Sequence, residues 1–337
     1  MITAELRQAI LAAAGLEAGD PLLRPAAAPG RYASSLPFRA AGPGQDPRAL
    51  AAALAARLSA EPWIADAAVT GPGYLTVTVT HDALAGLAVR IARAGQACAE
   101  SDALRTRTVP PPAPVNLAAE PNWPQARAAL AAHLTARLAA AAGAIFSAER
   151  SHLPPPSPLP PPATGPAATP PPAEAREVAA AIGYAGPDAV RFALARMPPG
   201  GAPPSQAVIA RHVLTNPAYA VRYAHAAAAA VLRWAAALGT RPAGFRPRLL
   251  AEPGELALLD ALSWLPERVA VAARRGRPDE FAGYLEALAA RTIDTMSTTG
   301  FTKISGISSE RLWLADAART GLAAGLGLLG VSAPARL

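Results

Sequence analysis

Tyr219, Arg222, Tyr223 and Ala226 are spaced by three and four, so on a helix they share one face. Two aromatic rings beside a guanidinium make a surface on which splayed nucleic-acid bases can stack. The same spacing also describes a core stripe. Arg222 interrupts that stripe with a charge, which favours RNA contact for Arg222 and Tyr223, while Tyr219 reads better as core. His225 reads either as a neighbour of the bound RNA or as a buried hydrogen-bonding residue. A smaller set lies nearer the start, where Tyr74 and Thr76 alternate onto one face of a strand. Arg24, Arg31, Arg39 and Arg48 give that segment a positive edge suited to phosphates. Ordinary strand residues and scattered solvated arginines are the alternative. Lys303 is the sole lysine, and Cys98, the single cysteine, allows neither an internal disulfide nor a cysteine-based zinc site. His133 stands alone in an apolar helical pattern, where packing is commoner than catalysis. No catalytic residue, metal ligand or cofactor is expected.

These side chains need a folded support, and a chain of 337 residues with 52% apolar content can build one. Aromatic residues make up only 5%, and alanine dominates the helical stretches, so the cores should be helix interfaces filled by Ala and Leu. The net charge of +7 favours a polyanionic partner, although an arginine bias also follows from a GC-rich genome. Neither a leader peptide nor a long apolar span is visible, which predicts a soluble, cytoplasmic protein without a membrane partner.

The pattern predicts a mainly α protein with a small α+β N-terminal domain and a C-terminal helical bundle. Residues 1–100 carry helices over 2–14, 46–58 and 83–94, and strands over 64–69 and 74–80 joined by Gly71-Pro72-Gly73. Asp46 is a natural N-cap before Pro47. Residues 101–150 offer one strand, 113–118, and one strong helix, 124–142. Residues 151–173 are rich in proline and read as a linker that is irregular and exposed. From 174 to 337 the pattern is helical throughout, with helices over 174–182, 188–196, 206–214, 217–238, 255–264, 268–274, 279–297 and 309–329.

The C-terminal part carries a resemblance. The run D-A-V-R at residues 188–191 resembles the D-A-L-R motif of the anticodon-binding domain of arginyl-tRNA synthetases. N-P-A-Y-A-V-R-Y-A-H-A at 216–226 is similar to N-P-x-Y-Y-V-Q-Y-A-H-A-R on that domain's long central helix. G-L-G-L-L-G-V-S-A-P-A-R-L at 325–337 is similar to the family's ending, G-L-x-L-L-G-V-x-A-P-E-R-M. Near the start, G-R-Y-A-S at 30–34 and G-P-G-Y-L at 71–75 resemble G-D-Y-A-S-N and G-P-G-F-I-N of the additional domain, which in this family touches the tRNA D-loop. The chain departs from the pattern at Ala220, Arg222 and Leu337, which replace an aromatic, a glutamine and a methionine near the anticodon contacts. Arginine in place of glutamine exchanges a base-edge reader for a phosphate or stacking contact, so affinity should outlast selectivity.

In the family, V-E-F-x-S-x-N-P-T-G-P-L-H-x-G-H opens the catalytic Rossmann domain, whereas V-N-L-A-A-E-P-N at 115–122 keeps only its start. W-P-Q-A-R at 123–127 then runs straight into a helix, leaving the two histidines of the HIGH element without counterparts. Lys303 lies beyond the central helix, where it cannot replace the lysine of a KMSKS loop. The resemblance therefore implies a protein that binds tRNA, most simply an arginine tRNA, without charging it. The expected contacts are Tyr219, Arg222, Tyr223, His225, Tyr74, Thr76 and Leu337, and tRNA should be preferred to DNA. A separate tRNA-dependent enzyme is the implied partner; a protein scaffold without RNA affinity, or a ligase subunit served by a catalytic partner in trans, are the other readings.

Overall fold

The computed structural model describes residues 1–147, 177–303 and 306–337, apart from the side chain of Thr299. The expected linker at 151–173 lies outside the described residues.

The N-terminal part opens with α1 (Ile2–Ala13), followed by β1 (Leu23–Pro25), β2 (Arg31–Ser34), α2 (Leu36–Ala40) and α3 (Pro47–Leu58). Then come β3 (Ile64–Thr70), β4 (Tyr74–Val79) and α4 (His81–Ala94). The Asp46 side chain caps α3 by accepting from the Arg48 amide, as the Asp-Pro pair predicts. The strands form one antiparallel sheet in the order β1-β2-β4-β3. Gly73 at the β3–β4 turn has φ +140°, and a Cβ there would come within 3.1 Å of the Arg48 backbone. The turn therefore lies against the start of α3, a close approach only glycine allows. Leu75, Val77 and Val79 alternate along β4 toward the core, where Ile2, Leu6, Ile10, Leu54, Leu87 and Ile91 meet them.

The middle differs from expectation. No strand forms over 113–118; instead β5 (Thr108–Val109) pairs in parallel with β6 (Ile145–Phe146), and α5 (Trp123–Ala141) makes the crossover. Pro110, Pro111, Pro112 and Pro114 carry no N–H, so the ladder has to form upstream of them.

The bundle contains α6 (Glu177–Ala185), α7 (Pro187–Arg196), α8 (Gln206–Ile209) and α9 (Pro217–Ala237). It continues through α10 (Pro253–Ser263), α11 (Leu265–Arg275), α12 (Pro278–Met296), α13 (Thr299–Thr302) and α14 (Ser309–Leu329). Helix α8 stops well short of the expected residue 214. Asn216 accounts for the break: its amide donates to the carbonyls of Ile209 at 2.9 Å and Arg211 at 2.7 Å, while its oxygen caps α9 at Ala218. Helices α9, α12 and α14 pack together, and Gly325 lets α14 lie directly on Leu285 of α12.

The N-terminal part docks on the bundle through polar contacts within a continuous apolar core. The Thr3 hydroxyl donates to the Ser263 carbonyl at 2.6 Å, the Gly30 amide donates to Asp260 at 3.0 Å, and the hydroxyls of Tyr32 and Ser263 meet at 2.9 Å. Beside them Arg7 and Glu267 form a buried ion pair. Burial pushes the Glu267 carboxyl above the ordinary carboxylate range despite the facing guanidinium, and likewise raises Asp260.

Candidate nucleic-acid interface

Helix α9 is capped by Asn216, begins with Pro217 and continues as a run rich in alanine, which sets its side chains on a rigid rod. The rings of Tyr219 and Tyr223 stack with centroids 5.9 Å apart, and His212 stacks on the other face of Tyr219 at 5.4 Å. Tyr219 is half-buried inside this stack of rings, and Tyr223 is 38% exposed at its outer end. A groove of about 560 Å³ runs on from Tyr223 over Ala226, Ala227 and Ala230 to Trp234, which is 59% exposed. Trp234 lies eleven positions beyond Tyr223, a rise of about 16 Å along the helix. Met296 and Phe301 form one wall of the groove, and Ala335, Arg336 and Leu337 form the other. Arg336 and Arg233 add positive charge along the rim, and Arg233 also donates to the Ala335 carbonyl. Flat apolar surface with rings at either end and guanidinium groups on the rim suits unstacked bases on an anionic backbone.

Tyr219, Tyr223 and Leu337 therefore meet in one groove. Arg222 turns away from it, with Nη2 3.6 Å from Asp188. His225 is buried, and its Nδ1 donates to the Pro334 carbonyl at 2.8 Å, which fixes the tautomer. Burial pushes the His225 pKa below the ordinary range, with the bond to Pro334 opposing the shift. Tyr74 and Thr76 lie outside the groove, on the N-terminal sheet. The Tyr74 ring is exposed and packs edge-on against Phe38 at 4.9 Å. Thr76 is buried, its hydroxyl 2.7 Å from that of Thr70, which corrects the expectation of an accessible contact. Sequence reasoning passed over His212, Trp234, Arg233, Arg336 and Phe38. Trp234 was findable, since eleven residues close on three helical turns from Tyr223; His212 lies beyond the Asn-Pro break, where helical periodicity is lost.

Cys98 is buried, and its thiol is pushed up to about 12 by desolvation. Among the described residues, no group of three His, Cys, Asp or Glu side chains could hold a metal ion. Among the same residues no helix is long and apolar enough to cross a membrane.

The chain is mostly helical, and its C-terminal bundle is of the DALR type: residues 221–337 match the DALR anticodon binding domain. Residues 1–79 match the arginyl tRNA synthetase N terminal domain, so the chain is an arginyl-tRNA synthetase-related DALR protein. It is 42% identical over 136 residues to the arginine–tRNA ligase of Clavibacter sepedonicus, an alignment covering 39% of this chain and 24% of the relative. It is 40% identical over 164 residues to that of Renibacterium salmoninarum, covering 46% of this chain and 30% of the relative. The chain thus spans less than a third of these curated relatives. Its fold resembles that of Thermus thermophilus arginyl-tRNA synthetase with a TM-score of 0.67 at 16% identity, covering 100% of each chain.

Proposed function

We propose that this protein is a non-catalytic tRNA-binding protein derived from arginyl-tRNA synthetase, which holds tRNA, most simply an arginine tRNA, and presents it to a separate enzyme or pathway. The groove between Tyr223 and Trp234 carries the proposal: exposed rings, an apolar floor and a guanidinium rim lie within the region that matches an anticodon-binding domain. Tyr74 on the N-terminal sheet is the second contact, and Tyr219, packed inside the ring stack, supports Tyr223. Arg222, His225 and Thr76 bear on the RNA only through the surfaces they hold. A cytoplasmic location belongs to the same reading.

The sequence between the two matched regions supports the absence of charging activity. It lacks the HIGH element, its two paired strands among the described residues span two residues each, and only 30 residues separate Phe146 from Glu177. A single βαβ unit needs about 30 residues and a Rossmann domain needs several such units. Two measurements test the proposal. The purified protein should show no arginine-dependent exchange of pyrophosphate into ATP, and RNAs that co-purify with it should be enriched in tRNA, led by arginine tRNA. Exchange that persists after contaminating synthetase is excluded would overturn the non-catalytic reading. Co-purifying RNA without tRNA enrichment would overturn the binding reading and favour a protein scaffold.

A further inference from the structure

One wall of the groove, Ala335 to Leu337, ends a segment without regular structure, residues 332–337; Arg233 holds it from the groove side, and side chains that do not line the groove hold it from behind. Helix α14 ends at Gly330, whose φ of +70° turns the chain, and the Val331 amide returns to the Leu326 carbonyl at 2.9 Å. The Ser332 amide then donates to Asp188 Oδ1 at 3.2 Å, and the Ser332 hydroxyl donates to Oδ2 of the same carboxylate. Arg222 faces that carboxylate at 3.6 Å. Two residues further on, the Pro334 carbonyl accepts from His225 at 2.8 Å, and the chain then enters the groove as Ala335, Arg336 and Leu337.

The helix that presents Tyr223 and Trp234 thus anchors the opposite wall through other residues, Arg222 and His225. Asp188 joins that anchor from α7. Facing bound RNA, a carboxylate would repel phosphate; here two Ser332 donors and a guanidinium occupy it. A segment ordered before binding spares the complex the entropy of ordering it.

We propose that Asp188, with Arg222 and His225, is a positioning residue: it clasps residues 332–337 as the groove wall, so that tRNA affinity depends on a carboxylate the RNA does not touch. The proposal rests on the RNA-binding reading of the groove. Full-length Asp188→Ala, Asp188→Asn, Ser332→Ala and the Asp188→Ala/Ser332→Ala double variant test it by amide hydrogen exchange and by tRNA filter binding.

In the free protein, Asp188→Ala should speed exchange across residues 332–337 and leave the middles of α9 and α14 as slow as before, which separates loss of the clasp from unfolding. The same variant should weaken tRNA binding about tenfold. Adding Ser332→Ala to Asp188→Ala should cost less than about twofold more, because both act through one contact. Asp188→Asn keeps an acceptor for the Ser332 amide and should recover most of the affinity. Unchanged exchange in Asp188→Ala, faster exchange with unchanged affinity, or losses that multiply in full would each overturn the proposal. Absence of tRNA binding by the unaltered protein overturns the functional reading and the affinity half of the proposal with it; faster tail exchange in Asp188→Ala would still uphold the clasp itself.

Discussion

The bundle groove and the N-terminal hairpin place similarly spaced side chains in different ways. On α9 the spacing of Tyr219 and Tyr223 brings both rings to one surface, and the tail brings Leu337 to join them. On β4 the period-two spacing of Tyr74 and Thr76 yields one exposed ring and one buried hydroxyl. On α9 the four-residue spacing stacks Tyr223 on Tyr219, while Arg222, three residues from Tyr219, turns to Asp188. An interior strand is flanked on both sides, and β4 lies between β2 and β3. Thr76 is spent on Thr70 across the hairpin.

If the two surfaces serve one ligand, the joint between them matters most. Glu267→Ala leaves Arg7 buried without its partner and should cost about 3 to 5 kcal/mol of stability in denaturant titration. Arg7→Met with Glu267→Leu should recover most of it. A loss below about 1 kcal/mol from Glu267→Ala would mean that the apolar core alone fixes the joint.

Next in size is the contrast between the surfaces themselves. Tyr223→Ala should cost about 1 to 3 kcal/mol of tRNA affinity, the range for a ring that stacks on a base. Tyr74→Ala should cost less, since it has one ring edge-on to Phe38 and no groove. Equal losses would show that the hairpin contributes as much as the bundle. Thr76→Val sharpens the point at the level of one hydroxyl: stability should drop by about 1 kcal/mol as Thr70 loses its partner, with tRNA affinity unchanged. A loss of affinity with unchanged stability would restore Thr76 as a contact.

The smallest expected effect concerns pH. The folded pKa of His225 lies below its unfolded value of 6.5, so its neutral form stabilises the fold fully above that value. That contribution is lost as pH falls through the lowered pKa. Between pH 7.5 and 5.5 the unaltered protein should lose more stability than His225→Gln does; parallel curves would place His225 in contact with water.

Local signals told the most about the fold. Asp46-Pro47 marked the start of α3, Gly71-Pro72-Gly73 marked the hairpin, and α14 runs over 309–329 as its periodicity predicts. Strands β1 and β2 carry little pattern of their own, because each is defined by the partner it pairs with. The site was legible along one helix and illegible across the fold. Asp188 meets Ser332 across 144 residues and His225 meets Pro334 across 109, so no spacing rule could reveal that Arg222 and His225 face the tail.

The central claim is that both surfaces hold one tRNA, and a filter-binding titration over a range of salt tests it most directly. The ligands are an arginine tRNA, a non-cognate tRNA and a DNA duplex, and the proteins are the unaltered chain, Tyr223→Ala and Tyr74→Ala. The expected result is tRNA bound in preference to the duplex, weakened by either substitution, with log affinity falling against log salt by roughly 0.7 to 0.9 per phosphate contact. No measurable tRNA affinity at low salt, or equal affinity for the duplex, would contradict it.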